Sequence, residues 1–216
     1  MTERPAPATP TAPGGPDAAA GPSRAPSGGG LPAVPRDTGA SDPAGSPDAG
    51  EAAAAGPPPG LAEALSSFAT GITLVMVADG RDDIGTTVSA FCPVSMAPPL
   101  VLISLIGDSY PAEVLSRVDR FAVTLLAAGQ RSLAGRFAVA GRPGARLLLD
   151  GVPHSRGAAS GALIPDGGLA ALECEVARRE PAGDHLLVIA SVRAVPYVAE
   201  SGQPLVRFAG GYPTIG

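Results

Sequence analysis

The feature that most restricts the fold is the way residues 71–209 break into short apolar runs bounded by Gly, Pro or Asp. Gly71–Ala78 is β-branched and apolar and ends at Asp79-Gly80, which predicts a buried strand. Ile84–Phe91 predicts a second, after a turn over Asp79–Asp83. Leu100–Ile106 predicts a third, entered through Pro98-Pro99. Phe121–Ala127, Leu169–Ala177, His185–Val195 and Leu205–Ala209 continue the series, with Pro181–Asp184 as the turn before His185. Only short helices interrupt it. Leu61, Leu65 and Phe68 share one face of a first helix; Ser109 caps a second that holds Pro111 and runs to about Val118; Gln130–Ala138 predicts a third. Residues 139–168, rich in Gly and Pro, carry no pattern that assigns an element. Many strands with closely spaced turns give a mainly β barrel with short helical inserts. A doubly wound sheet would need longer helices, and the GxGxxG fingerprint is missing.

The N-terminal stretch behaves differently. Residues 1–60 hold 15 Ala, 14 Pro and 11 Gly, and the first aromatic residue is Phe68. Such a segment cannot bury enough apolar surface to offset the entropy of ordering it, so it is predicted to be a disordered arm with polyproline character. Pro57–Pro59 and Gly60 separate it from a domain over residues 61–216. No stretch has the character of a secretory signal or a membrane span, and the expected location is the cytoplasm.

Charge narrows the functional classes. The arm has three Arg against six acids, and the domain twelve Arg against fourteen, giving a net charge of −5. Neither part suggests binding to nucleic acid or an anionic membrane. The sequence contains no Lys, which excludes Schiff-base chemistry and a P-loop. Cys92 and Cys174, with His154 and His185, show no metal-ligand spacing; both cysteines are expected to be small buried residues. His154 is expected in a loop; Arg131, Arg136 and Arg142 could pair with a phosphate or a carboxylate, though surface arginines usually do neither.

Four segments, taken in order, carry a resemblance. They are Phe68-Ala-Thr-Gly-Ile-Thr-Leu-Val75; Gly85-Thr-Thr-Val-Ser-Ala-Phe-Cys-Pro-Val-Ser-Met-Ala-Pro-Pro-Leu100; Phe121-Ala-Val-Thr-Leu-Leu-Ala127 with Gln130 and Phe137-Ala138; and Leu172-Glu-Cys174 with Gly183-Asp-His185 and Phe208-Ala-Gly-Gly-Tyr212. In this order and spacing they resemble the short-chain flavin reductases, the small partners of two-component flavin-dependent monooxygenases. The resemblance implies an FMN-binding split β-barrel of Greek-key type, a homodimer, and reduction of FMN or FAD by NADH or NADPH. It implies that Thr86, Thr87, Val88, Ser89, Ala90, Phe91, Val94 and Ser95 line the flavin. Thr124, Leu125 and Leu126 would border its ring, with Ser109 and Gln130 at the periphery. His185 would position the nicotinamide, with Asp184 and Tyr212 beside it. The sequence departs from the family pattern at Leu61-Ala-Glu63, Cys92, Pro93, Ala97, Thr124 and Ala209.

The residues fit that chemistry. Thr86, Thr87 and Ser89 put hydroxyls and backbone N–H groups on one segment that can hold a ribityl chain and phosphate. Hydride transfer between cofactors needs stacking, orientation and exclusion of water rather than side-chain acid–base work. Read without the resemblance, the hydroxyls are polar positions on a wet strand face, His185 a surface residue after a hairpin turn, and Tyr212 a packing residue. A flavin-binding split-barrel carrier or structural dimer without turnover is the alternative reading.

Overall fold

The computed structural model describes residues 56–80 and 82–215; the expected arm lies outside the described residues except for its last five positions. Eleven strands and four α-helices follow in chain order: α1 (Leu61–Ser66), β1 (Thr70–Gly71), β2 (Thr73–Asp79), β3 (Asp82–Val88), β4 (Phe91–Met96), β5 (Pro99–Ile106), α2 (Tyr110–Arg117), β6 (Arg120–Leu125), α3 (Arg131–Ala138), α4 (Ala145–Leu148), β7 (His154–Arg156), β8 (Leu163–Pro165), β9 (Ala170–Ala182), β10 (His185–Val198) and β11 (Val206–Arg207). Seven strands form one antiparallel sheet in the order β3-β2-β6-β9-β10-β5-β4. No helix among the described residues is long and apolar enough to cross a membrane.

The sheet is buried on both faces at its centre, which explains why β2 reads as a continuous apolar run rather than an alternating one. Val75 and Val77 point into a core with Ile103, Phe121, Val123 and Val188, which α2 plugs with Val114 and Leu115. Leu74 and Met76 point the other way, against Leu133 and Phe137 of α3 and Leu149 and Ile164 beyond it. Gly85 in β3 is required by this second layer: a Cβ there would lie 2.5 Å from both Met76 Sδ and a Phe137 ring carbon. The sheet curls until β3 approaches β5. The chain then crosses directly from β3 to β4 through Ser89-Ala90, and Ser104 N–H donates to Ala90 O at 3.0 Å. The barrel is therefore split between β3 and β5, and β4 lies beyond the split.

Two expectations are corrected, and residues 139–168 gain an assignment. The second predicted strand does not reach Phe91; it ends at Val88, and Phe91 starts a new strand. Pro93 and Pro98-Pro99 hid that strand, because proline is tolerated only where the missing N–H faces away from a ladder, as it can on an edge strand. Cys92 lies on this edge and is exposed, whereas Cys174 is buried. Burial, and secondarily the Glu173 carboxylate, push the Cys174 thiol up to about 12, so it is inert at neutral pH. Residues 139–168 contain α4, β7 and β8, tied together from inside rather than by local pattern. The Asp83 carboxylate holds Arg146 and Arg156, and Glu173 Oε1 accepts the Ala159 and Ser160 N–H groups and the Ser160 hydroxyl.

Candidate functional site

The split between β3 and β5 is a cleft of about 610 Å³, within the usual range for small-molecule sites. One wall is β3 and its continuation, Asp82–Ala90; the other is Ser104–Ile106 at the end of β5. The N-terminus of α2 and the loop 140–144 close the ends. Thr86, Thr87, Ser89 and Ser104 line the cleft, and their hydroxyls make no side-chain hydrogen bond with a described residue. Their donor and acceptor capacity is thus free for a polar ligand. Ser109 is different: its hydroxyl donates to Ile106 O at 2.6 Å and accepts the Ala112 N–H at 3.4 Å as the cap of α2.

A fully buried carboxylate underlies one wall. Asp83 accepts from Arg146 Nε at 2.6 Å and from both terminal nitrogens of Arg156, at 2.9 and 3.0 Å. Burial pushes its carboxyl up, but Arg156 and Arg146 together outweigh burial and hold it below the usual carboxylate range. Arg142 is the guanidinium that lines the cleft itself, with Nε donating to Gly85 O at 2.7 Å and Nη1 to Val139 O at 3.0 Å.

A second cavity of about 930 Å³ adjoins the first. Asp108, Glu113 and Asp184 line it, and Ile106, Ser109 and His185 line both cavities. His185 reaches this junction because β10 starts opposite the end of β5, with His185 paired to Ile106. Gly183, at φ +60°, makes the turn before it, and Gly107 N–H donates to Asp184 O at 2.8 Å. The His185 Nδ1–H donates to Asp184 Oδ1 at 2.7 Å, because an ionised carboxylate can only accept. That bond holds the Asp184 carboxyl below its ordinary range and leaves Nε2 of His185 available.

The structure gathers Thr86, Thr87, Val88, Ser89, Ala90, Ser109 and His185 around one cleft, and Asp184 around its neighbour. It does not bring the remaining expected residues there. Phe91 is half-buried against the barrel core, while Val94 and Ser95 run along the outer edge strand. Thr124 and Leu126 are buried in and after β6, and Leu125 packs on the barrel core. Gln130 accepts the Ala127 N–H and donates to Asp166 O at 2.9 Å. Tyr212 packs on the outer core beneath the Arg131 guanidinium, 5.2 Å from the ring centre. Arg136 donates to Leu148 O and Asp150 O, so of Arg131, Arg136 and Arg142 only Arg142 faces the cleft. The one sequence signal for it was its setting between Gly141 and Pro143.

Comparison with known proteins places this architecture. Residues 65–216 match the flavin reductase like domain. The reductase component of 4-hydroxyphenylacetate 3-monooxygenase from Thermus thermophilus is 36% identical over 150 residues, 69% of this chain and 91% of that protein. An NADH-dependent FMN reductase from Streptomyces nodosus subsp. asukaensis is 34% identical over 163 residues, 74% of this chain and 88% of that protein. The Streptomyces globisporus NADH:FAD oxidoreductase, solved with NAD and FAD fragments, superposes with a TM-score of 0.67 at 30% identity, covering 72% of this chain and 91% of that one. On the match over residues 65–216 and on these relatives, the chain belongs to the flavin reductase-like family.

Proposed function

We propose that the protein is an NAD(P)H:flavin oxidoreductase that transfers hydride from a nicotinamide to FMN or FAD. The observation that carries this reading is the meeting of two cavities at His185. A two-cofactor transfer needs two adjoining sites with the reacting atoms roughly 3–3.5 Å apart. A carrier or structural dimer would need only the first cavity. A bound flavin supplies the hydride-accepting ring; the chain supplies the rest. Thr86, Thr87 and Ser89 offer hydroxyls to the flavin's polar tail, and the Asp184–His185 pair orients an imidazole toward the nicotinamide side. Asp108 and Glu113 of the second cavity, which form no ion pair with a described residue, favour NADH over NADPH, since the extra phosphate would meet their negative charge. The curated relatives include several NADH-dependent flavin reductases.

The reading extends to assembly and place. The reduced flavin goes to a partner monooxygenase, as the names of related reductase components suggest. The working form is a homodimer: edge strand β4 leaves Met96 92% exposed and Val94 half-exposed, and α1 buries none of its residues, leaving Leu65 and Phe68 bare. Apolar side chains left exposed on an edge strand are a surface that an interface covers. A cytoplasmic location fits the exposed free thiol of Cys92. The enzyme unit is residues 61–216, and residues 1–60 are dispensable for its chemistry.

The test follows the loss of NADH absorbance with riboflavin, FMN and FAD, for the full chain, for a chain starting at Gly60, and for His185→Ala. Wild type and the shortened chain should both turn over. His185→Ala should raise the KM for NADH roughly 2–12-fold, the equivalent of one hydrogen bond, with flavin affinity unchanged. A fall in kcat of roughly 10²–10⁴-fold with a reshaped pH profile would instead make His185 a general acid. Absence of NADH oxidation with every flavin would overturn the enzyme reading.

A further inference from the structure

We infer that Gly107 is a positioning residue for His185: by bringing no side chain to the junction of the two cavities, it lets the Gly183-Asp184 turn close to the distance that aims the imidazole. The inference rests on reading His185 as facing the nicotinamide. β5 ends and β10 begins at this point, and the last rung of their ladder pairs Ile106 with His185. One bond carries the contact a residue further, from Gly107 N–H to Asp184 O at 2.8 Å. That oxygen belongs to the planar peptide unit that joins Asp184 to His185, so its direction sets the backbone from which the imidazole projects. Gly107, Asp184 and His185 all line the second cavity.

A side chain at 107 would displace that turn. Its Cβ would lie 3.1 Å from Asp184 O, 3.6 Å from the Asp184 carbonyl carbon and 3.8 Å from that of His185. The first distance is tighter than ordinary van der Waals contact, so one side must give by a few tenths of an ångström. The 107 side is held: Ile106 O accepts the Ser109 hydroxyl at 2.6 Å and the Ser109 N–H at 3.1 Å, and Ser109 caps α2. The other side is the tip of a hairpin, with the Asp184 side chain 92% exposed and Gly183 at φ +60°. The tip therefore yields, the peptide before His185 turns, and the imidazole moves with the Asp184 carboxylate that it is bonded to. Gly107 is itself exposed and its φ lies outside the left-handed region, so a side chain there strains neither the core nor its own backbone. Glycine is needed at 107 for close approach, and not for conformation.

The experiment compares the untagged full-length wild type, Gly107→Ala, His185→Ala and the double variant. NADH oxidation is followed at saturating flavin, and the imidazole signals are read by NMR. The chain has two histidines, His154 and His185, so His185→Ala assigns both signals. Gly107→Ala should raise the KM for NADH by no more than the roughly 2–12-fold of His185→Ala, with flavin affinity unchanged. In the His185→Ala background it should add nothing, because the two changes act through one side chain. It should shift the His185 signals and leave those of His154 in place. An unchanged KM would overturn the positioning role. So would an equal rise in both backgrounds, which would mean that the methyl group obstructs the dinucleotide itself. Movement of both histidines, or of neither, overturns it as well. If His185→Ala leaves the KM unchanged, the nicotinamide reading of His185 falls, and this inference with it. If wild type oxidises no NADH, the enzyme reading falls, and the NMR shift still decides whether Gly107 sets the imidazole.

Discussion

The two cavities that meet at His185 differ in their charge. In the β3–β5 cleft the buried carboxylate, Asp83, is covered by two guanidiniums, while the Asp82 carboxylate and the Arg142 guanidinium each line the wall without an ion pair among the described residues. In the neighbouring cavity Asp108, Glu113 and Asp184 line the wall, and no arginine among the described residues does. The cleft therefore presents both signs of charge, and its neighbour presents carboxylates without a guanidinium among the described residues. With a net charge of −5 and no Lys, the chain has few cations to distribute, so where they fall sets the charge of each cavity.

The hardest way to break this contrast is at Asp83. Asp83→Asn leaves Arg146 and Arg156 facing a neutral amide. Both guanidiniums are partly exposed and can be rehydrated, so the expected loss of stability is about 2–3 kcal/mol, short of that for a wholly buried pair. Urea unfolding at neutral pH measures it. The acid dependence has a definite sign. The folded pKa lies below the unfolded value of about 3.9, so the contribution is complete above that pH and is lost as pH falls through the folded pKa. Wild type and variant should thus differ in stability by a constant amount at neutral pH and converge in acid. Convergence on raising the pH would contradict the assignment.

Removing hydroxyls from the cleft has a smaller effect on a different quantity. Thr87→Ala and Ser89→Ala should each weaken flavin binding by about 0.5–1.5 kcal/mol, or roughly 2–12-fold, without shifting the KM for NADH. An unchanged flavin dissociation constant in the double variant would move the flavin elsewhere.

The gentlest change tests the acidic side. Asp108→Asn with Glu113→Gln should raise the use of NADPH relative to NADH by roughly 2–5-fold, because exposed charges are well screened. The ratio of kcat/KM for the two dinucleotides reads this directly. An unaltered ratio would show that the second cavity does not receive the adenosine phosphates.

The β character was legible in the sequence because it is local: β-branched runs, glycine and proline turns and the Ser109 cap act within a few residues. Thr86, Thr87 and Ser89 could be found for the same reason, since they share one segment, and His185 because Gly183-Asp184 turns the chain immediately before it. Tertiary structure alone decided the rest. Strand β4 exists because an edge tolerates Pro93; α4, β7 and β8 exist because Asp83 and Glu173, distant in sequence, supply the bonds that order them. Arg142 could not be told from Arg131 and Arg136 in the sequence; folding brought it to Gly85, 57 positions away, and left it without a carboxylate among the described residues. Local preference depends on neighbours along the chain, whereas burial, charge balance and the joining of two cavities depend on neighbours in space.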